Sequence, residues 1–379
     1  MSKEKKTAIE DGKSEIEQRR EAANEAIKRL KKKFGDGVVQ TLGGGSAASC
    51  DSVSTGILPL DIAVGVHGLP RGRIIEIYGP ESAGKTLIAL QTVAEVQKNG
   101  GLAAYIDVEN ALNVEFARKI GVDVDALLIS QPDNGEQALE VASELIRSGG
   151  IDILVVDSVA ALITQQEIDG DMGDQHIGLL ARLMSQSIKK LNASIAKTNT
   201  PVIFINQLRE KIGTYCGPSE TTPGGRALKF YASVRLDVRK KEQIKANGIA
   251  IGNKVKVKVV KNKVAPPFRE CEFDLMFDSG ADKAGCLVDV AVGLDIIKKS
   301  GSWFSYNDVK IGQGRDSAVA WVKEDDSRYK EIENLIYAAI ENKESKKVSY
   351  AGTEEITADE AFLREAENED DYVVLGGSV

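Results

Sequence analysis

The sequence contains few of the side chains that build metal centres and disulfide frameworks. Only two histidines occur in 379 residues, His67 and His176, and they are too far apart for a histidine-based metal centre or triad, so we expect each on the surface or in a loop. The cysteines are Cys50, Cys216, Cys271 and Cys286. Because no two of them form a C-x-x-C pair, neither a zinc site nor a disulfide framework is predicted, and we expect reduced thiols.

Long apolar runs are missing as well. No stretch approaches the roughly 18 apolar residues of a membrane span, and the segment Met1 to Lys6 has no apolar character that an export signal would need. Apolar residues make up 42% and charged residues 28% of the chain, which is ordinary for a soluble globular protein. We therefore expect a cytoplasmic protein whose length allows one large core and a smaller domain.

Net positive charge is also absent, but the negative charge is confined to one segment. Residues 351–379 hold nine acids and one base, so the other 350 residues carry no net charge. Two blocks among them are basic, Lys28 to Lys33 and Arg239 to Lys263. Blocks of this kind bind phosphate backbones in some proteins and are solvated faces in others. Composition alone therefore leaves nucleic-acid binding open.

The most informative segment runs from Gly79 to Thr86 and fits the pattern G-x-x-x-x-G-K-[ST]. An apolar strand, Arg73 to Tyr78, precedes it, and apolar residues at helical spacing follow it. Glycines let backbone N–H groups curl around phosphate oxygens, and the following helix points its positive end at them. The alternative is a glycine turn between a strand and a helix. The residues expected to hold nucleotide phosphates are Gly79, Pro80, Glu81, Ser82, Ala83, Gly84, Lys85 and Thr86.

Two residues of this loop have specific expected roles, and a second strand adds a partner. Lys85 would reach the β- and γ-phosphates, and the hydroxyl of Thr86 would bind Mg²⁺. The buried strand from Ile151 ends at Asp157, and an acid at this position assists Mg²⁺ coordination in phosphate-loop enzymes; we expect Asp157 to act on the metal through a water. Buried parallel strands also end in Asp for reasons of turn geometry. The combination with the loop favours the metal site.

Two further strands end in polar side chains that should open onto the same crevice. Ala103 to Glu109 supplies Glu109 as a candidate base for hydrolysis, although Asp107 or Glu109 alone fits a helix N-cap equally well. The strand from Ile203 ends at Gln207, whose amide suits a sensor of the γ-phosphate. A loop from Arg209 to Gly224 follows, rich in Gly, Ser and Thr. Such a mobile loop could report the nucleotide state to a second ligand.

Charge and periodicity divide the chain into five segments. Residues 1–20 are predicted to be a mobile arm, and residues 21–46 an oligomerisation helix with a glycine linker. Residues 47–282 alternate buried strands and helices, which predicts an α/β P-loop NTPase fold with a mostly parallel sheet. Its strands Ala232–Val238 and Lys254–Val260 alternate apolar and charged residues and predict an antiparallel extension. Residues 283–345 form a small α+β C-terminal domain, and residues 346–379 an acidic disordered tail.

The chain resembles the bacterial RecA recombinase family over roughly residues 22–345. The first matching segment is a weak motif, the second is the phosphate loop itself, and the last three are long and unusual. In chain order the segments are Gly68–Arg73, Gly79–Thr86, Val155–Leu162, Phe204–Arg209, Thr222–Arg235 and Val259–Phe268. The resemblance implies a RecA-type core, binding of ATP and Mg²⁺, and a DNA-dependent ATPase.

The resemblance also implies partners and an assembly. Members of the family form helical filaments of their own copies on single-stranded DNA, and pair and exchange strands with homologous double-stranded DNA. They also stimulate self-cleavage of a LexA-type repressor in the SOS response. We expect the acidic tail to compete with DNA for basic surface, so deletion of residues 351–379 should tighten binding of duplex DNA.

The resemblance assigns roles only to matching positions. Glu109 would activate water, Gln207 would couple ATP to the DNA loop, and Lys261 and Lys263 would reach the γ-phosphate held by a neighbouring subunit. From the sequence alone, these two lysines would pass for exposed charges at a strand end. Two DNA loops are implied, about residues 167–177 and 209–224. The expected DNA-binding residues are Arg182, Arg209, Lys211, Gly224, Gly225 and Arg226, a sequence-tolerant set of phosphate contacts.

Several positions depart from the family pattern. Asn113 and Phe116 replace the Asp and Tyr that many relatives have near the adenine, so the nucleobase preference is open. Tyr215-Cys216 in the second DNA loop and Phe277-Asp278-Ser279-Gly280 also differ, which affects the expected base-spacing contact and the subunit interface.

Three rival functions share the phosphate loop. A RadA-like or ring-helicase ATPase would be indicated by an N-terminal zinc knuckle or an appended protease-like domain, and the sequence shows neither. A small-molecule kinase would hydrolyse ATP without regard to DNA. A non-enzymatic DNA scaffold would not need Lys85, Thr86, Glu109 and Asp157 together.

Overall fold

The computed structural model describes residues 3–35, 38–39, 50–171, 178–210 and 220–351, in two compact units, residues 1–51 and 52–379. The first unit contains helix α1 (Lys3–Phe34), so the segment predicted as a mobile arm is helical from Lys3. Charged residues with good helix propensity fill it, and Arg19 pairs with Glu15 one turn earlier at 2.7 Å. Gly35 ends the helix with φ +96°, and its N–H donates to the Lys31 carbonyl. The predicted linker, residues 42–46, lies outside the described residues.

The second unit has a large sheet, three small ones and ten α-helices among its described residues. In chain order the elements are β1 (Ser52–Val53), α2 (Leu58–Val64), β2 (Leu69–Pro70), β3 (Ile74–Gly79), α3 (Lys85–Lys98), β4 (Ala103–Asp107), α4 (Val114–Ile120), β5 (Leu128–Ser130), α5 (Gly135–Ser148), β6 (Ile153–Asp157), α6 (Gln165–Asp169), α7 (Leu179–Thr198), β7 (Val202–Gln207), β8 (Arg209–Glu210), β9 (Glu220–Thr221), α8 (Ala227–Tyr231), β10 (Val234–Ala246), β11 (Ile249–Asn262), β12 (Glu270–Met276), β13 (Gly280–Ala281), α9 (Lys283–Gly293), β14 (Lys298–Ser300), β15 (Trp303–Tyr306), β16 (Val309–Gln313), α10 (Arg315–Lys323) and α11 (Asp326–Ala351).

The large sheet has the strand order β13-β12-β11-β10-β3-β7-β6-β4-β5. Strands β3, β4 and β6 are buried at every residue, and β7 at all but its last, because helices cover both faces. Helix α3 packs on one face through side chains such as Ile88 and Val93. Helices α5 and α7 pack on the other through Ile146 and Ile188. The predicted parallel sheet between two helical layers is confirmed.

The antiparallel extension begins one strand later than the sequence predicted. Strand β10 lies parallel to β3, with Val234 beside Ile75 and Asp237 beside Tyr78. Only the next strand, β11, reverses direction, and β12 and β13 continue the antiparallel pairing. The chain between β7 and β10 is long enough for the crossover that a parallel neighbour requires. Alternating polarity predicts which face of a strand is buried but not its direction.

The last described elements form a smaller core. Helices α9, α10 and α11 enclose the three-stranded sheet β14–β16 around fully buried side chains, among them Leu287, Ile297, Ile332 and Ile336. Helix α11 continues to Ala351, so the first residues of the segment predicted as an acidic tail are helical. Residues 352–379 lie outside the described residues. Within the described ranges, no helix combines the length and apolar character that crossing a membrane requires.

Candidate active site

The phosphate loop connects β3 to α3, as the sequence predicted. Gly84 has φ +100°, and a Cβ atom there would lie 2.6 Å from Leu275 Cδ1, so a side chain would meet both backbone strain and a clash. The ammonium of Lys85 donates to the carbonyls of Gly79, at 3.0 Å, and Pro80, at 2.6 Å. The lysine thus folds back across its own loop. Burial lowers the pKa of Lys85, and the charges of Asp157, Glu109 and Glu81 oppose that shift.

The two residues predicted to bind Mg²⁺ are in direct contact. The Thr86 hydroxyl donates to Asp157 Oδ2 at 2.8 Å, and the Tyr105 hydroxyl donates to the same oxygen at 2.7 Å. Burial raises the pKa of Asp157, and the two hydroxyl donors partly offset that rise. Hydroxyl and carboxylate oxygens are the ligands that Mg²⁺ prefers in proteins. Tyr105 was missed by sequence reasoning, since it lies 52 residues from Asp157.

The acids at the end of β4 have different surroundings. Both carboxylate oxygens of Asp107 accept backbone N–H groups, from Ala111 and Leu112, which precede α4. Asp107 therefore holds this turn and is not a helix N-cap, the alternative left open in the sequence, because Asn113 caps α4. Glu109 Oε1 instead accepts from the Ser158 hydroxyl at 2.6 Å and from Gln207 Nε2 at 3.1 Å. The candidate base and the candidate γ-phosphate sensor are therefore hydrogen-bonded to each other.

A cavity of about 430 Å³ adjoins the phosphate loop. Residues 82–87 line one side, and Phe116, Lys240, Asn253 and Phe277 are among the residues that line the rest. Asn253 is only 8% exposed, and its Oδ1 has no hydrogen-bond partner among the described residues. A buried acceptor without a partner beside a phosphate loop, such as Asn253 Oδ1, could accept a hydrogen bond from the nucleobase of a bound nucleotide. Sequence reasoning missed Asn253 and Lys240, because both residues lie more than 150 positions after the end of the loop.

Asn113, which the sequence predicted near the adenine, caps a helix. Its side chain caps α4 by accepting the N–H of Phe116 at 2.9 Å, and it is not one of the residues that line the cavity. Phe116, held by this cap, does line it. A second cleft, of about 470 Å³, is lined by Asp61, Glu95 and Glu333 among others. It contains none of the residues predicted to act on a nucleotide.

Lys261 and Lys263 lie away from the phosphate loop of their own chain. Lys261 is opposite Arg235 in the β10–β11 ladder, and Arg235 is beside Glu76, upstream of Gly79 in β3. The backbone N–H of Lys263 donates to the Ser233 carbonyl. This bond lies still nearer the amino edge of the sheet, the edge at which the parallel strands begin. The ammonium of Lys261 donates to the carbonyls of Lys229 and Phe230 at 2.7 and 2.9 Å. Burial, then the neighbouring Lys263 and Arg235, lower the pKa of Lys261.

Several predicted DNA-binding residues come together near the start of α7. A Cβ atom on Gly225 would lie 2.7 Å from that of Ala181, the neighbour of Arg182, so only glycine permits this close approach. Arg182, Arg209 and Arg226 are exposed. Residues 172–177 of the first predicted loop and 211–219 of the second, with Lys211 and Tyr215-Cys216, lie outside the described residues. His176 does as well.

The basic block from Arg239 to Lys263 is largely neutralised within the chain. Arg239 pairs with Glu220 and Asp237, and Lys241 pairs with Glu272. Lys256 and Lys258 both contact Glu270. These pairs favour a solvated strand face over a DNA-binding block. Exposed ion pairs contribute little stability, so their main effect is to cancel the charge.

A phosphate loop between a buried strand and a helix, with an acid and an amide ending the neighbouring strands, defines a P-loop nucleoside triphosphatase. Residues 21–282 match the RecA N-terminal domain, and residues 285–341 match the RecA C-terminal domain. The chain belongs to the RecA family. As a member of it, the chain is an ATP-using recombinase that binds DNA, forms filaments and acts in homologous pairing.

Two similar proteins align with this chain over most of its length and most of their own. The protein named Protein RecA from Clostridioides difficile strain 630 is 58% identical over 317 residues, which are 84% of this chain and 91% of that one. Protein RecA from Ruminococcus albus is 55% identical over 326 residues, 86% of this chain and 82% of that one. A solved structure of the RadB recombinase covers 60% of this chain and 98% of its own, with a TM-score of 0.46 and 22% identity.

Proposed function

We propose that this protein is a single-stranded-DNA-dependent ATPase whose hydrolytic site responds to DNA through Gln207. The observation that carries this proposal is the 3.1 Å hydrogen bond from Gln207 Nε2 to Glu109 Oε1. Two residues after Gln207 the chain reaches Arg209, the start of the predicted second DNA loop. A DNA contact that moves this segment would therefore move a group bonded to the candidate base.

The residues around the phosphate loop suit ATP and Mg²⁺. Backbone N–H groups of the loop and the Lys85 ammonium would hold the phosphates, and Thr86 and Asp157 supply hard oxygen ligands in contact with each other. A bound Mg²⁺ would neutralise charge on the β- and γ-phosphates. Lys85 must leave the carbonyls of Gly79 and Pro80 to reach a phosphate.

Glu109 is the proposed base. Its carboxylate takes two hydrogen bonds, from Ser158 and Gln207, which orient it at the end of β4. From that position it would accept a proton from the attacking water. When Gln207 turns toward a γ-phosphate, it must release Glu109, which frees one lone pair of Oε1 for that water. The Gln207 amide would thereby couple recognition of the γ-phosphate to release of the Glu109 carboxylate.

The residues proposed to contact the nucleobase line the side of the cavity opposite the phosphate loop. Asn253 Oδ1 would accept a hydrogen bond from an exocyclic amine, which adenine has where guanine has a carbonyl. Phe116 and Phe277 line the same cavity and offer aromatic surfaces for stacking. This arrangement favours ATP over GTP, although Asn113 caps α4 instead of lining the cavity.

The nucleic-acid interface combines exposed arginines with glycines. Arg182, Arg209 and Arg226 would contact phosphates, together with backbone N–H groups at Gly224 and Gly225. Such contacts tolerate any base sequence and weaken as salt rises. We propose Lys211 as a further contact on the basis of the resemblance.

A neighbouring subunit would complete the site with Lys261 and Lys263. In their own chain these cations rest on carbonyl groups near the opposite edge of the sheet, so a nucleotide phosphate that they contact would belong to another chain. In a head-to-tail filament each phosphate loop faces the next subunit's lysines. The edge strand β5, where Leu128 and Ile129 are 42% and 53% exposed, offers an apolar surface for the same assembly. Stimulated self-cleavage of a LexA-type repressor by the filament is proposed from the resemblance alone.

The experiment that tests the function is ATP hydrolysis with and without single-stranded oligonucleotide. We expect strong stimulation by DNA. An ATP turnover that ignores DNA, together with phosphate transfer to a small molecule, would identify the rival kinase and overturn the proposal. ATP binding with no turnover in either condition would instead indicate a DNA scaffold.

A further inference from the structure

The buried polar network around Asn206 connects the nucleotide site to both ends of the predicted second DNA loop. Asn206 is fully buried in β7, next to Gln207. Its Nδ2 donates to Glu76 Oε1 at 3.1 Å and to the Pro223 carbonyl at 3.2 Å. Its Oδ1 accepts the backbone N–H of Gln207 at 3.0 Å. One side chain thus contacts the chain immediately before the loop and the residue just before Gly224.

The orientation of this amide is fixed by its neighbours. A primary amide has two donor hydrogens on nitrogen and an oxygen that only accepts. The carboxylate of Glu76 and the carbonyl of Pro223 are both acceptors, so the nitrogen must face them and the oxygen must face Gln207. Rotation of the amide by half a turn would place three oxygens together. Asn206 therefore has one stable arrangement as long as Glu76 and Pro223 stay in place.

Glu76 is held in place by a second contact. It is a fully buried carboxylate in the middle of β3, which leads directly to the phosphate loop. Arg235 Nε donates to Glu76 Oε2 at 2.5 Å, and its guanidinium also lies over the ring of Tyr78, 4.6 Å from the centroid. A buried charge without such a partner is strongly destabilising. The Arg235–Glu76 pair is therefore a fixed support against which Asn206 is held.

We propose that Asn206 is a positioning residue that transmits the state of the second DNA loop to Gln207 and, through it, to Glu109. A shift of Pro223 when the loop binds DNA pulls on Asn206 Nδ2, and the opposite end of the same amide holds the Gln207 backbone. Because Glu76 does not move, the amide pivots about its contact with that carboxylate. The pivot changes where Gln207 Nε2 lies relative to Glu109. This proposal rests on the proposed DNA-dependent ATPase and specifies its internal connection.

The test uses Asn206→Asp, which keeps the shape of the side chain and the acceptor for Gln207. It replaces both donors with an oxygen that repels Glu76 and Pro223. We expect the DNA-stimulated kcat to fall about 10- to 100-fold, as misplacement of a catalytic group by about 1 Å does, while the Kd for a fluorescent ATP analogue changes less than about threefold. The split between kcat and nucleotide affinity separates positioning from a general loss of structure.

A second variant combines Asn206→Asp with Glu76→Gln. An amide at residue 76 can donate to a carboxylate at residue 206, so the hydrogen bond is restored with reversed polarity. The double variant still has no donor for the Pro223 carbonyl, so we expect its affinity for the ATP analogue to stay near that of the wild type and its DNA-stimulated kcat to stay as low as that of Asn206→Asp. The matched control is Thr200→Val, which removes a buried hydrogen bond to the Ile151 carbonyl at the other end of β7. It should lower the melting temperature and leave the stimulation ratio as in the wild type.

The outcomes separate this inference from the function on which it rests. A wild-type protein that ignores DNA refutes the proposed function. A stimulated wild type with an equally stimulated Asn206→Asp variant, or a double variant that regains wild-type stimulation without a donor for Pro223, refutes the pivot. If Asn206→Asp melts below the assay temperature, Asn206→Ser takes its place, since a serine hydroxyl cannot span Glu76 and Pro223. The same loss of stimulated kcat is expected for it.

Discussion

The two edges of the large sheet differ in how complete they are within one chain. At the carboxyl edge, Thr86, Asp157, Glu109 and Gln207 come from separate strands and a loop, yet they are joined pairwise by hydrogen bonds. Toward the amino edge, Lys261 and Lys263 have charged side chains that contact only backbone carbonyls in the hydrogen bonds described. The carboxyl edge therefore holds an assembled group of polar side chains. The amino edge holds two lysines that have no nucleotide site in their own chain.

This difference teaches why such a protein should work as a polymer. A cation placed on carbonyl groups is partly desolvated, and burial lowers the pKa of Lys261. A phosphate from a second chain would be a far better partner for it. In the proposed filament, hydrolysis would depend on assembly because the neighbour's lysines would supply part of the charge stabilisation.

The largest expected effect is at the amino edge. Lys261→Ala should reduce DNA-stimulated ATP hydrolysis about 10³-fold, within the range for a cation supplied in trans. Nucleotide binding by the isolated chain should not change, because Lys261 is remote from its own phosphate loop. The matched control is Lys258→Ala on the same strand, whose side chain is exposed and paired with Glu270. A single chain that binds ATP more weakly after Lys261→Ala would contradict the comparison.

The next effect is at the carboxyl edge. Glu109→Ala should lower the stimulated turnover about 10²- to 10³-fold, the usual contribution of a general base, and DNA binding in the presence of ATP should be retained. Glu115→Ala, an exposed acid in the first turn of α4, is the control and should behave as the wild type. Fluorescence anisotropy with a labelled oligonucleotide measures the binding. Turnover above a tenth of the wild-type rate would remove Glu109 as the base.

A smaller effect should appear in the choice of base. Asn253→Leu removes the orphaned acceptor of the cavity, so the KM for ATP should rise about tenfold while kcat changes little. GTP is the control substrate, since it has a carbonyl where ATP has an amine, and its KM should stay nearly constant. An equal loss for both nucleotides would assign Asn253 a structural role. Filament formation should be unaffected, because Asn253 lines the cavity beside the phosphate loop at the carboxyl edge.

The smallest expected effect concerns pH. Asp157 must be ionised to hold a metal, so activity falls as pH decreases through its pKa, which burial raises above the usual 3.8. The Tyr105 hydroxyl lowers that pKa by its hydrogen bond, so Tyr105→Phe should move the acid limb of the rate profile to higher pH. One hydrogen bond of about 1 kcal/mol corresponds to a shift of roughly 0.7 pH units. If the acid limb of the pH–rate profile does not move in Tyr105→Phe, a group other than Asp157 determines its position.

Much of the carboxyl edge could be predicted because its chemistry follows from local pattern. The phosphate loop is a contiguous motif, and Asp157, Glu109 and Gln207 each follow a buried apolar run that predicts a strand end. Parallel strands bring such ends together. The parallel sheet followed from the same runs, and the resemblance supplied the roles of Lys261 and Lys263.

The rest depends on contacts between distant segments. Tyr105 and Asn253 lie far in sequence from the residues they serve, and no local pattern marks them. The direction of β10 was not predicted either, because alternation of polar and apolar residues is the same in both directions. The start of α1 at Lys3 was missed because helix propensity without apolar periodicity gives little signal.

A mixing experiment tests the shared site most directly. Glu109→Ala chains have intact lysines, and Lys261→Ala chains have an intact base, so each variant alone should be inactive. In filaments assembled at random from equal amounts, about a quarter of the interfaces join a good base to a good lysine. We predict that ATP hydrolysis on single-stranded DNA recovers to about a quarter of the wild-type rate. A mixture as inactive as its two components would contradict a site completed by two chains.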